Sequence, residues 1–236
     1  MMNTTVEHQG PSYEAFNQAT RRSLLVLPLF ILVPFLFGVG FWAAGYVLEW
    51  RAFGLGALGW FIALVLRAPL SAIVMKMPQE KAKNIIVASS GILEESARLV
   101  LLAVTSVVSS WAVSVGQGWA AVEVLFTIVN IVVIASLVKR TDEKAVQAKQ
   151  FLESQSTIHA SPLWGVLERI WASAFHIGCT LIVAFHPWSV VLLIPLHSSL
   201  NWFAVRLAAR SVWKSSLFVA VIGVITLLVG ILFISL

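Results

Sequence analysis

Residues 84–106 read NIIVASSGILEESARLVLLAVTS. The stretch is apolar except near its centre, where Glu94, Glu95 and Arg98 fall within five residues. Whether it crosses a bilayer decides whether the chain has an odd or an even number of spans. That in turn decides whether its two ends share a side. As a helix, a segment of this length covers roughly 35 Å, enough for the hydrocarbon core. Charge at that depth costs a few kcal/mol on insertion scales, so such residues face inward, pair, or do chemistry.

The rest of the chain argues for a crossing. Of 236 residues 59% are hydrophobic and 11% are charged; soluble domains carry about 25% charged residues. Long apolar runs recur from end to end, so the expected fold class is an all-α, polytopic membrane helical bundle of about seven transmembrane helices. The spans are expected at roughly 23–47, 53–75, 84–106, 112–138, 164–185, 188–208 and 215–236. Residues 1–22 read as a cytoplasmic tail and 23–236 as a single transmembrane domain. The polar connection 139–163 suits a short surface helix. Cys179 is the only cysteine, which excludes a disulfide framework or a cysteine-based metal motif. About 20 polar residues precede the first apolar run, unlike a cleaved signal peptide.

The basic residues orient the bundle. Twelve fall at connections on one side (Arg21, Arg22, Lys76, Lys81, Lys83, Lys139, Arg140, Lys144, Lys149, Arg206, Arg210, Lys214), against Arg51 on the other. The positive-inside rule then puts the N-terminus in the cytoplasm and the C-terminus outside, with the chain multi-pass in the cell membrane. These loops account for the net charge of +5, which requires no nucleic-acid partner.

Glu94 and Arg98 are four apart, so the spacing predicts an ion pair between them. That leaves Glu95 unexplained, about 100° around the helix. Other spans also carry polar residues at depth: Gln117 and Glu123 in GQGWAAVEVL, Glu168, Arg169, His176 and Thr180 in LERIWASAFHIGCT, and His197 and Asn201 in LHSSLNW. The spacing puts Arg169 with His176, His176 with Thr180, and His197 with Asn201 on shared faces. The expectation is four polar arcs around one interior cavity. Carboxylates with imidazoles can activate a water, the glutamate acting as base and histidine binding a metal or stabilising an oxyanion. Asn201, one turn past His197, is placed to donate to the same oxyanion. His186 and His159 read as surface residues. Trp111, Trp164, Trp188 and Trp213 lie near span ends, as interfacial tryptophans do.

GILEESAR (residues 91–98) resembles the glutamate-pair motif of YhfC-type intramembrane proteases, within the wider superfamily of CAAX prenyl endopeptidases and bacteriocin-processing enzymes. GALGWFIALVLRAPL (56–70) resembles that family's second-helix signature. LERIWASAFHIGCT and LHSSLNW resemble its Glu-Arg…His…Ser/Thr and His-x-x-x-Asp/Asn motifs. The resemblance covers about residues 35–205. It implies a catalytic set of Glu94, Glu95, Arg98, His197 and Asn201, a metal site drawn from His176, His197 and Glu123, zinc as the metal, and a membrane-embedded peptide or protein as partner. The chain departs from the family once. The fourth helix typically reads Gly-x-Gly-His-Gly-Gly-x-Glu; here it is Gly116-Gln117-Gly118-Trp119-Ala120-Ala121-Val122-Glu123. An indole offers a metal no lone pair. Two function classes follow: an intramembrane protease with a rearranged site, or an inactive member of the fold acting as a membrane scaffold or immunity protein. A small transporter fits less well, since repeats and paired broken helices are not evident.

Overall fold

The structure is a computed structural model that describes residues 11–74, 76–105, 108–154 and 160–235; His159 lies outside them. The described residues are helical, with short turns between. In chain order the helices are α1 (Pro11–Leu25), α2 (Leu27–Ala43), α3 (Trp50–Val74), α4 (Gln79–Ala103), α5 (Ser109–Ser136), α6 (Glu143–Ser154), α7 (Leu163–Phe185), α8 (Val190–Ala208) and α9 (Val212–Ser235). Among the described residues six segments are long and apolar enough to cross a membrane: Phe16–Ala43, Trp50–Val74, Ser109–Lys139, Leu163–Phe185, Pro187–Ala208 and Val212–Ser235. These agree closely with the expected spans. The first begins earlier, because α1 is already helical from Pro11 and α2 continues almost directly from it. The 25-residue α4 equals α3 in length. Composition alone separates it from the six, and the difference is Glu94, Glu95 and Arg98.

Local chemistry sets the breaks. Gly45 takes φ +93° just after α2, a backbone conformation that costs glycine little. Pro78 stands immediately before α4, with Glu80 in its first turn, where a carboxylate complements the helix dipole. Pro187 opens the tight turn between α7 and α8. The polar α6 falls inside the 139–163 connection, as its composition predicted. Lys149 in the middle of α6 donates to the carbonyls of Val138 and Arg140 at 3.2 and 2.8 Å.

α7 is the axis of the bundle: every residue from Ser173 to Ala184 is buried. It packs along α9 on one side and α5 on another, while α3 lies between α4 and α5, and α4 runs against α8. Small residues allow these close crossings. A Cβ on Gly118 would meet the backbone of Phe53, and one on Gly56 the backbone of Val115, so α3 and α5 approach through reciprocal glycines. Gly178 of α7 sits against the Thr226 and Leu227 backbone of α9 in the same way. The outward faces carry large exposed apolar residues such as Phe35, Leu66, Val133, Leu192 and Leu228, as a lipid-facing surface does. The chain is a multi-pass membrane protein.

Candidate active site

The polar residues of α4, α7 and α8 meet in the middle of the bundle, where Glu94, Glu95, Arg98, His176, Thr180 and His197 are all buried. Arg98 organises them. Its Nε donates to Glu95 Oε2 at 2.9 Å and its Nη2 to Glu95 Oε1 at 3.2 Å. Nη2 also reaches His176 Nδ1 at 3.1 Å, and Nη1 reaches the His176 carbonyl at 2.9 Å and Thr180 Oγ1. A guanidinium has five N–H donors, and all five of Arg98's are engaged. The Trp119 ring covers the group's flat face, its centroid 4.2 Å from Cζ, in cation–π contact.

The expected Glu94–Arg98 pair is therefore corrected. Arg98 pairs with Glu95, three residues back. Spacings of three and four both bring side chains to one face, so the neighbours decide. Arg98 is turned toward α7, where the buried His176 carbonyl, which also accepts from Thr180, and the Thr180 hydroxyl receive it. Glu94 faces α3 and takes Arg67, whose Nη2 donates to Glu94 Oε1 at 2.7 Å. The sequence reading had placed Arg67 only within the second-helix signature. A lone charge in an apolar run is the same signal that drew attention to Glu94.

The two imidazoles hold opposite tautomers. A carboxylate only accepts, so His197 Nδ1 donates to Glu95 Oε1 across 2.8 Å, and its Nε2 lone pair is left free. Arg98 only donates, so His176 Nδ1 accepts from it and Nε2–H is directed at Glu123 Oε2, 2.7 Å away. Glu123 is held from its other oxygen by Arg169, which also pairs with the exposed Glu168. The predicted shared face of Arg169 and His176 is thus real, and Glu123 of α5 joins them.

Other expected site residues stand elsewhere. Asn201 Nδ2 donates to Ser90 Oγ at 2.8 Å, one turn along both helices from His197 and Glu94, and ties α8 to α4. Gln117 donates to the Phe37 carbonyl and joins α5 to α2, outside the cavity. His186 is exposed at the end of α7 with its ring on Phe233. Trp119 does face the site, fully buried, with its indole N–H lacking a partner among the described residues.

One carboxylate oxygen in the centre is uncommitted. Glu94 Oε2 has no hydrogen-bond partner among the described residues, and the free His197 Nε2 is 3.9 Å from it. That is too long for a hydrogen bond and close to the separation of two ligand atoms around one ion, roughly 3.3 Å for tetrahedral zinc. Among the described residues, Glu94, His176 and His197 form a group whose ligand atoms lie within 4.8 Å of one another. A carboxylate with two imidazoles suits a catalytic metal, and Glu95 behind His197 is the orienting carboxylate that metal-binding histidines usually have. Glu94 and His197 fit an ion as they stand. His176 joins by exchanging its Arg98 contact. Glu123 lies behind His176, outside the convergent group.

A family model described as YhfC intramembrane metalloprotease matches residues 29–222. The chain belongs to the YhfC intramembrane metalloprotease family. No curated protein and no solved structure matches it. The YhfC match spans α2 through the first half of α9 and so includes every residue of the cavity. Its description implies a metal, and the Glu94–His176–His197 group is where this chain offers ligands for one.

Proposed function

We propose that this YhfC-family chain hydrolyses peptide bonds within the membrane, using the Glu94 carboxylate as base beside His197. The observation that carries this reading is the orphaned Glu94 Oε2 facing His197 Nε2. Buried polar atoms in folded proteins almost always find partners. One left open beside a free imidazole nitrogen favours a role toward a ligand over a role in packing.

In the reaction, the oxygen of water adds to the scissile carbonyl carbon and the carbonyl π pair moves onto its oxygen. The proton lost by water goes to Glu94 and then to the departing amide nitrogen as the C–N bond breaks. Glu95 and Arg98 do not exchange protons. They fix the His197 tautomer and hold α4 against α7. His176 and His197 would hold the metal, with Glu94, the third member of the group, beside it as base, and zinc suits imidazole ligands. When bound, it would acidify water and polarise the carbonyl.

The same proposal includes seven spans, with α4 counted among them and the N-terminus in the cytoplasm, in one transmembrane domain over 23–236. Three charges disqualify α4 by composition, but each has a partner within the bundle, which removes most of the cost of burial. The substrate is then a membrane-embedded peptide or protein.

A second reading, an inactive scaffold or immunity protein, draws on Trp119. Its indole fills the wall beside Arg98, and both His176 nitrogens already have protein partners. One experiment separates the two. Protein N-termini are compared in membranes of cells carrying wild type or Glu94→Gln, and the metal content of both purified proteins is measured. The protease reading expects cleavage products that vanish with Glu94→Gln. Identical sets of termini, with wild type free of metal, would leave the scaffold.

A further inference from the structure

The two arginines flanking the glutamate pair are used very differently. Arg98 has every N–H engaged and is fully buried. Arg67 gives one hydrogen bond, to Glu94. Its Nε is buried without a partner among the described residues, and its side chain remains 23% exposed. Pairing with one carboxylate oxygen satisfies the charge of Arg67 and leaves most of its donor fork unspent. The spare donors lie on the guanidinium that holds Glu94 Oε1, the oxygen beside the unpartnered Oε2 on the same carboxylate.

We propose that Arg67 is a catalytic residue that binds the carbonyl oxygen of the scissile peptide bond and takes up its negative charge as the carbon becomes tetrahedral. The proposal rests on the protease reading above and moves the carbonyl-binding role away from Asn201, whose amide is turned to Ser90. Three properties suit Arg67. Its charge is permanent and its fork is rigid. Glu94 anchors one end, so the rest is held in place before substrate arrives, as charge stabilisation requires. Its partial exposure gives an incoming chain access that Arg98 lacks.

The test uses full-length protein in detergent and two fluorescent apolar peptides. In one a phosphinate replaces a peptide group, mimicking the tetrahedral, anionic carbon. In the other a methylene stands there. Binding is measured for wild type, Arg67→Gln and Arg67→Lys, each with metal and after chelation. Wild type is expected to prefer the phosphinate in both conditions. Arg67→Gln should lose about 10- to 100-fold of that preference, the worth of a charge-assisted hydrogen bond. Arg67→Lys keeps a cation for Glu94 and so keeps the fold, but without the fork it should retain only part of the preference. A phosphinate preference that survives both substitutions, or that disappears on chelation alone, would assign it to the metal and overturn the role of Arg67 while leaving the protease reading in place. If wild type binds neither peptide, both fall together.

Discussion

Glu95 and His197, 102 residues apart in sequence, meet through a 2.8 Å hydrogen bond inside the bundle. Glu95 also takes two hydrogen bonds from Arg98. A single carboxylate thus orients the histidine and neutralises the arginine, and its neighbour Glu94 pairs with Arg67 through one oxygen and keeps the other without a partner among the described residues. Glu95→Ala and Arg98→Ala are each expected to destabilise by about 3–5 kcal/mol, as breaking a buried pair does. The double variant should recover much of that loss, whereas Glu94→Ala combined with Arg98→Ala should be nearly additive. Unfolding in detergent measures both cycles. Coupling to Glu94 in place of Glu95 would refute the pairing.

Trp119 is expected to hold Arg98 in place by stacking. Trp119→Phe keeps a ring and should cost about 1–2 kcal/mol through weaker cation–π contact and lost volume. Trp119→His should cost more stability but add a third imidazole to the wall of the site, beside His176 and His197. Zinc titration of the purified variant should then show tighter binding than wild type. Equal affinity in both would show that position 119 does not reach the ligand group.

Close helix contact makes Gly118 intolerant. A Cβ there would press on the Phe53 backbone, which cannot rotate away as a side chain can. Gly118→Ala should therefore lower stability by about 1–3 kcal/mol, and Gly118→Leu should prevent accumulation of folded protein. Gly54, whose Cβ would meet nothing within 4 Å, is the control. Similar losses at both positions would argue against this crossing of α3 and α5.

The seven-span topology puts α6 and the α7–α8 turn on opposite sides of the membrane. Gln147 and Trp188 are exposed, and the native Cys179 is fully buried and silent to labelling. A cysteine at 147 should react only from the cytoplasmic side and one at 188 only from outside. Labelling of 147 from outside and of 188 from the cytoplasmic side would remove α4 from the set of spans.

Much of the fold was legible because the bilayer imposes it. Apolar runs of about 20 residues separated by charged connections leave little choice but helices, and the boundaries agree within a few residues except at the N-terminus. The site was legible as a set of intramembrane polar residues and not as a pattern of partners. Spacing cannot distinguish Glu94 from Glu95 as the mate of Arg98, because both lie on its face; α3 and α7 make the choice. Nor could spacing tell that Asn201 hydrogen-bonds Ser90 and Gln117 the Phe37 carbonyl. That follows from which face meets which neighbour, and no single helix contains that information.

Arg98 also bears on how the protein is made. Its partners on α7, His176 and Thr180, lie 78 and 82 residues further along the chain, and His197 later still. At ordinary translation rates α4 leaves the ribosome roughly 4–16 s before α7. On the seven-span reading, α4 spends that interval as a nascent segment whose charges are paired within it and with Arg67 of α3 but whose Arg98 still lacks its α7 hydrogen-bond partners. Its residence in the bilayer is then completed after synthesis of the C-terminal half. Chains truncated before residue 176 should show α4 incompletely inserted by glycosylation mapping, with insertion restored once α7 and α8 are present.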